Sequence, residues 1–174
     1  MRVYYADWQM ECCGTPFAVG DEVAWRLVPA GEEDARYGAT ARVEHHGGPD
    51  AETVGRVRAI ELVHQRYTVR TDPRVRERID RALAADRPSD GPVLLPSPYT
   101  TEPVPGAHTL EPVAACPRWF EREDPGEGPG PRRIRRTTGA LVTLDVTGTR
   151  PTRPENPAAP EPPGATPAEP GDCR

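Results

Sequence analysis

The chain carries two adjacent cysteines, Cys12 and Cys13, and two adjacent histidines, His45 and His46. Thiolates and imidazoles are the ligands that suit Zn2+, which takes about four in a tetrahedron. These four side chains therefore form a candidate zinc site, with Cys116 or His64 available to complete a set. The spacing is unlike that of a ready-made site, where paired cysteines stand about two to four residues apart. In an extended strand, neighbouring side chains point to opposite faces. One Cys and one His can then converge, whereas all four meet only in irregular turns. The plainer reading is one buried thiol beside a partly exposed one, with His-His closing a strand. The same residues also contain a Cys–His nucleophile pair, with Glu11 or Glu44 to orient the ring.

Other side chains offer binding rather than chemistry. Trp25 is in phase with Val23 and Leu27 and reads as core. Trp8 and Trp119 have no such phase and are candidate anchors of a recognition groove. Arg132, Arg133, Arg135 and Arg136, with the Arg-rich stretch 74–81, present guanidinium forks suited to phosphate or an acidic partner. Of the clustered carboxylates Glu11, Asp21 and Glu22, Asp21 reads as a turn former and Glu22 as a solvent-face residue.

Composition removes whole classes of chemistry. There are 22 basic residues, all Arg and no Lys. That excludes a P-loop lysine, a Schiff-base lysine and a lysine nucleophile. With Asn156 the only asparagine, the bias reads as a GC-rich genome. Ser89 and Ser97 are the only serines, and no nucleophile elbow, Walker loop, dinucleotide fingerprint or His-Glu-x-x-His occurs. The formal net charge of -5 argues against a general nucleic-acid binder. Residues 1–8 (MRVYYADW) lack the apolar run of a signal peptide, and no stretch is apolar enough to span a membrane. The expectation is a cytoplasmic protein with reduced cysteines and no membrane partner.

The elements that must position these residues read mostly as β. Residues 2–5 form a short strand, 12–16 a turn, and Phe17 to Leu27 a hydrophobic corner entering an alternating strand. Residues 40–46 and 53–63 are further strands. In the second the alternation slips after Val57, which a bulge would repair, and Tyr67 and Val69 extend it or begin another. A helix spans about 73–85, capped by Thr71 or Asp72, with Pro73 in its first turn and an apolar stripe of Val75, Ile79, Ala82 and Leu83. Eight of the 23 prolines fall in residues 88–117 and eight in 151–174, against four in 1–87. Residues 88–138 therefore read as a Pro-rich excursion of little regular structure, with a linker at 125–131. Residues 139–147 return as a strand beside an N-terminal one. The tail, 148–174, is too polar to offset its ordering entropy and reads as disordered.

The string DWQMECCGTPFAVGDEVAW at residues 7–25 resembles a family of actinobacterial proteins of unknown function. The resemblance is specific there and extends weakly over about 1–147, through His45-His46-Gly47, Gly55-Arg56-Val57 and Gly139 to Asp145. It implies no activity, cofactor or catalytic residue. The fold expected is one mainly β domain over 1–147: a small curled sheet, or an SH3-like or OB-like barrel, of about 5–6 strands with one helix. The function expected first is a small binding or accessory module with a protein or peptide partner, no cofactor and no catalysis. The second reading is a zinc protein using the Cys-Cys and His-His pairs. The third is a nucleic-acid-associated small barrel.

Overall fold

In the computed structural model the described residues are 1–84, 99–123 and 131–151. The spine is an antiparallel ribbon of two long strands, β6 (Ala51–Thr71) and β9 (Arg132–Pro151), paired from Ala51↔Pro151 to Val69↔Arg132. On the far side of β9 lies β1 (Arg2–Ala6), antiparallel to it. Next comes β5 (Ala41–Val43), parallel to β1, and then β4 (Leu27–Pro29) at the edge. The other flank of β6 is shared. β3 (Glu22–Trp25) covers its first part and β7 (Tyr99–Val113) its second. The order is β3-β6-β9-β1-β5-β4, with β7 against β6. A separate two-stranded piece joins β2 (Phe17–Ala18) to β8 (Ala115–Cys116).

The sheet curls strongly into a half-barrel. Curvature of that kind comes from bulges, and the ribbon shifts register at Val54/Gly55, Val57/Ala59 and Val63/His64. The second shift falls where the alternation slips in the sequence. Gly55 lies where backbones crowd: a Cβ there would sit 2.8 Å from the Asp145 carbonyl oxygen. Gly139 (φ 150°) is tighter still, since a Cβ would run into the Tyr5 carbonyl oxygen. Both faces of the curl are covered. Val3, Tyr5, Met10, Phe17, Trp25, Val57, Val142 and Leu144 pack on one side, and Tyr4, Tyr37, Ala39, Val63 and Leu141 on the other. Alternate residues of β1 and β9 thus enter opposite cores, as the period of two requires.

Several expectations need correction. Residues 12–16 are not all turn, because Cys12 and Cys13 end a helix, α1 (Asp7–Cys13). Phe17 to Leu27 does not feed one strand. It breaks at Gly20-Asp21, where Asp21 Oδ2 accepts the Ala18 N–H at 2.8 Å, and again at Arg26, so that β3 and β4 pair with different strands. The strand at 40–46 shortens to Ala41–Val43 because Glu44 onward turns away toward Arg26 and α1. The acidic loop holds a one-turn helix, α2 (Glu32–Ala35), closed by Asp34 Oδ2 on the Gly31 N–H at 3.3 Å. With α3 (Pro73–Ala84), three helices stand among the described residues where one was expected. α3 begins as read, with Asp72 Oδ1 accepting the Arg74 N–H at 2.9 Å, but Val75 and Ile79 are only half-buried.

The largest correction is the Pro-rich excursion. Residues 99–113 form a 15-residue strand despite Pro103, Pro105 and Pro112. Proline is tolerated where one side of a strand needs no N–H donor, and β7 pairs only with β6 among the described residues. Its register breaks between the partners of Gln65 and Tyr67, around Pro105 and Gly106. The buried Gln65 amide closes that gap, donating to Val104 O at 2.9 Å and Ala107 O at 3.3 Å. β9 likewise starts at Arg132 rather than 139, and does pair with β1 as anticipated. The end of the helix at Pro88, the linker up to Gly130 and the tail beyond Pro151 lie outside the described residues.

Candidate functional site

α1 positions the cysteines. It follows β1 directly, and Asp7 Oδ1 accepts the Trp8 N–H at 2.8 Å. Gly14 ends it, donating to Gln9 O and Met10 O. A side chain at Gly14 would collide with Met10, whose Cα lies 2.7 Å from the ideal Cβ. Met10 is buried in the core, while Trp8, Cys12 and Cys13 face solvent. Trp8 and Cys12 are four residues apart, hence on one face of the helix.

Gln9 docks this helix on the chain leaving β5. Its buried amide works in both senses: Nε2 donates to Val43 O at 2.9 Å, and Oε1 accepts the His45 N–H at 2.9 Å. That clamp sets His46 opposite the two thiols. His46 Nε2 lies 3.5 Å from Cys13 Sγ and 3.8 Å from Cys12 Sγ, and the two sulfurs are 2.8 Å apart. The indole of Trp8 stacks on the His46 ring, centroids 5.6 Å apart and planes at 21°. Among the described residues this is the one group of three or more such ligands within 4.8 Å of one another, and all three are exposed.

The neighbouring histidine goes elsewhere. His45 is half-buried, with Nε2 at 2.5 Å from the Tyr5 hydroxyl, and its carbonyl accepts Arg26 Nη2 at 2.7 Å. Burial first, then the charges of Arg26 and His46, lower its pKa and favour the neutral ring. Of the four expected ligands the fold thus gathers Cys12, Cys13 and His46, and turns His45 inward. Cys116 and His64 do not complete the set. Cys116 is buried against the core, where desolvation pushes its thiol up to about 12. His64 is buried between Thr137 Oγ1 at 3.0 Å and Glu111 Oε2 at 2.7 Å.

The distances suit a thiophilic ion. Zn–S of about 2.3 Å and Zn–N of about 2.0 Å in a tetrahedron place S and N about 3.5 Å apart and two sulfurs about 3.8 Å apart. The S–N separations already match, and the sulfurs would open by about 1 Å through their rotamers. The carboxylates expected to orient the ring are occupied. Glu44 Oε1 accepts the His46 backbone N–H at 3.0 Å, and Glu11 pairs with Arg122 at 2.6 Å. The Cys13 thiol is raised, chiefly by its bond to Cys12 and then by desolvation, so neither effect favours its thiolate.

The other expected binding residues are scattered. Trp119 is 67% exposed under the Arg118 guanidinium, and Trp8 is 53% exposed. The Arg132–Arg136 run lies on β9 and splits between two faces about the buried Ile134. Arg133 is exposed, and Arg135 meets Glu111 at 3.5 Å, whereas Arg136 lies over the Tyr67 ring. Sequence reasoning missed Gln9 and Tyr5, the residues that send His46 outward and His45 inward. Gln9 lies among the polar residues of α1, and no local pattern marks it as buried.

The curl and the cluster together describe a small, mainly β module in which two cysteines of a short helix meet a histidine from the chain that leaves β5. The chain belongs to a family of unknown function, DUF6578, whose model matches residues 1–146. A search of the curated proteins and of the solved structures finds no match. No helix among the described residues is long and apolar enough to cross a membrane.

Proposed function

We propose that this chain is a metal-binding accessory module that holds a thiophilic divalent ion of the zinc class on Cys12, Cys13 and His46. One observation carries the reading: two thiols and an imidazole nitrogen meet within 3.8 Å on elements that a buried amide clamps together. Three protein ligands leave one position to water or to a donor from a partner. Hydrolytic zinc sites add a base beside that position. Here Glu44 and Glu11 are spent on a backbone N–H and on Arg122, which favours binding over turnover.

Ligation needs thiolates, so loading releases protons and strengthens as pH rises. The raised Cys13 thiol extends that dependence upward. The test is a zinc titration of untagged protein against a chromophoric chelator. One ion per chain is expected, with affinity lost in Cys13→Ser and His46→Ala and retained in His45→Gln. A stoichiometry below about 0.2 per chain overturns the reading, since a three-ligand zinc site should fill at micromolar ion.

A further inference from the structure

A recess of about 520 Å³ opens between α1, α2 and the face of the sheet carrying Tyr4, Tyr67 and Arg136. Four guanidiniums line it, those of Arg36, Arg42, Arg122 and Arg136, against three carboxylates, those of Asp7, Glu33 and Asp34. Three of the cations are committed. Arg36 pairs with Glu33 at 3.1 Å, Arg42 with Glu44 at 3.6 Å, and Arg122 with Glu11 at 2.6 Å and Asp7 at 3.7 Å. Asp34 is turned to the Gly31 N–H.

Arg136 is different. Among the described residues it forms no ion pair, and its Nε is buried without a hydrogen-bond partner. Its guanidinium lies 5.7 Å from the centroid of the Tyr67 ring. A buried donor left unpaired costs about 1–3 kcal/mol, and more on a charged group, so native structures usually satisfy it. An aromatic face holds a guanidinium in place while leaving its edge free for a planar acceptor. Four rings border the recess, those of Tyr4, Trp8, Tyr37 and Tyr67. Burial raises the pKa of Tyr37 and Tyr67, so both phenols stay neutral beside a bound anion.

We propose that the recess binds a small aromatic anion, a carboxylate or phosphate monoester on a planar ring, with Arg136 as its anchor. The acidic group takes the two terminal Nη nitrogens of the guanidinium in the bidentate manner that Arg favours, the buried Nε being closed to it. The ring lies among the aromatic side chains, in a recess whose other lining is largely charged and already paired. The site is distinct from the metal cluster, sharing with it Trp8 and the clamp residue Gln9.

The experiment is calorimetry, with two-dimensional NMR, on the full chain held metal-free by chelator. Its outcome is thereby independent of the zinc titration. The probes are phenyl phosphate, benzoate and inorganic phosphate. Phenyl phosphate or benzoate should bind one per chain and saturably, and the stronger of the two identifies the acidic group. The ringed probe should bind at least about 10-fold more tightly than inorganic phosphate, a difference of about 1.4 kcal/mol. Arg136→Gln should weaken it at least about 10-fold and Arg136→Lys less, while Arg58→Gln, outside the recess, leaves it unchanged. Should the Gln variant fail to fold, the Lys variant carries the comparison, because it keeps the charge and loses the fork. No saturable binding of either ringed probe, or wild-type affinity in both Arg136 variants, overturns the proposal.

Discussion

The two ends of α1 face opposite kinds of environment. At its C-terminal end, Cys12 and Cys13 meet His46 in the open, with soft donors close together. At its N-terminal end, Asp7 and Trp8 border a recess where nearly every charge already has a partner. The first site is defined by donors gathered in excess, the second by a single cation left over. A helix of seven residues brings both about because Gln9, near its middle, is locked to the sheet. Binding capacity thus depends on which valences the fold leaves unspent, more than on how many ligating residues it contains.

That contrast can be broken most forcefully at the thiol end. Cys13→Ser or His46→Ala should lower zinc affinity by at least about 100-fold, beyond what changes to outer-sphere partners produce, while leaving phenyl phosphate binding intact. Equal loss at both sites would mean that the ends of the helix are one unit. Next in size is Gln9→Leu, which strips the Val43 carbonyl and the His45 N–H of their partner. It should cost about 2–4 kcal/mol by chemical denaturation, and weaken both sites together because it frees the helix. Tyr5→Phe is milder, about 1 kcal/mol, and should not alter zinc stoichiometry, since it touches only the inward histidine. Trp8→Ala is smallest: a loss of about 3-fold for zinc and a similar one for the ringed anion, from removing a stack worth about 0.5–1 kcal/mol.

The adjacent histidines sharpen the comparison through pH. The folded pKa of His45 is lowered, so its neutral form contributes stability above the ordinary value of 6.5. That contribution is lost as pH falls through the depressed folded value, because the unfolded chain takes up the proton first. Thermal melts of metal-free protein should therefore decline below about pH 6.5, and His45→Gln should flatten the slope. Zinc loading should also weaken toward acid, because metal ligands must be deprotonated.

What could be read in the sequence follows from how local each signal is. The helix at Pro73, the bulge after Val57, the Asp21 turn and the core position of Trp25 each rest on a few neighbouring residues, and the fold agrees with them. β7 was hidden because its prolines argue against a strand unless the position at an edge is known, and that depends on β6 some 40 residues earlier. α1 was hidden because its seven residues are too few for a helical period to show. With it went the geometry of the site. Neighbouring residues in a helix are turned by about 100°, not 180°, so both thiols can reach one imidazole. The pairing of two cysteines with one histidine was thus suggested by composition and decided by a backbone that composition does not reveal.

The parallel pairing of β1 with β5 has a consequence for the order of assembly. β1 lies between β5 and β9, and Val3 is opposite both Ala41 and Val142. During synthesis the first of those neighbours is present well before the second, which lies far further along the chain. β1 must therefore wait with one edge uncovered, and the curl cannot be sealed until β9 arrives. Such distant partners slow the search for the native state and lengthen exposure of apolar edges. Refolding from denaturant should accordingly be slow for a chain of this size, with burial of Tyr5 and Trp25 among its last events.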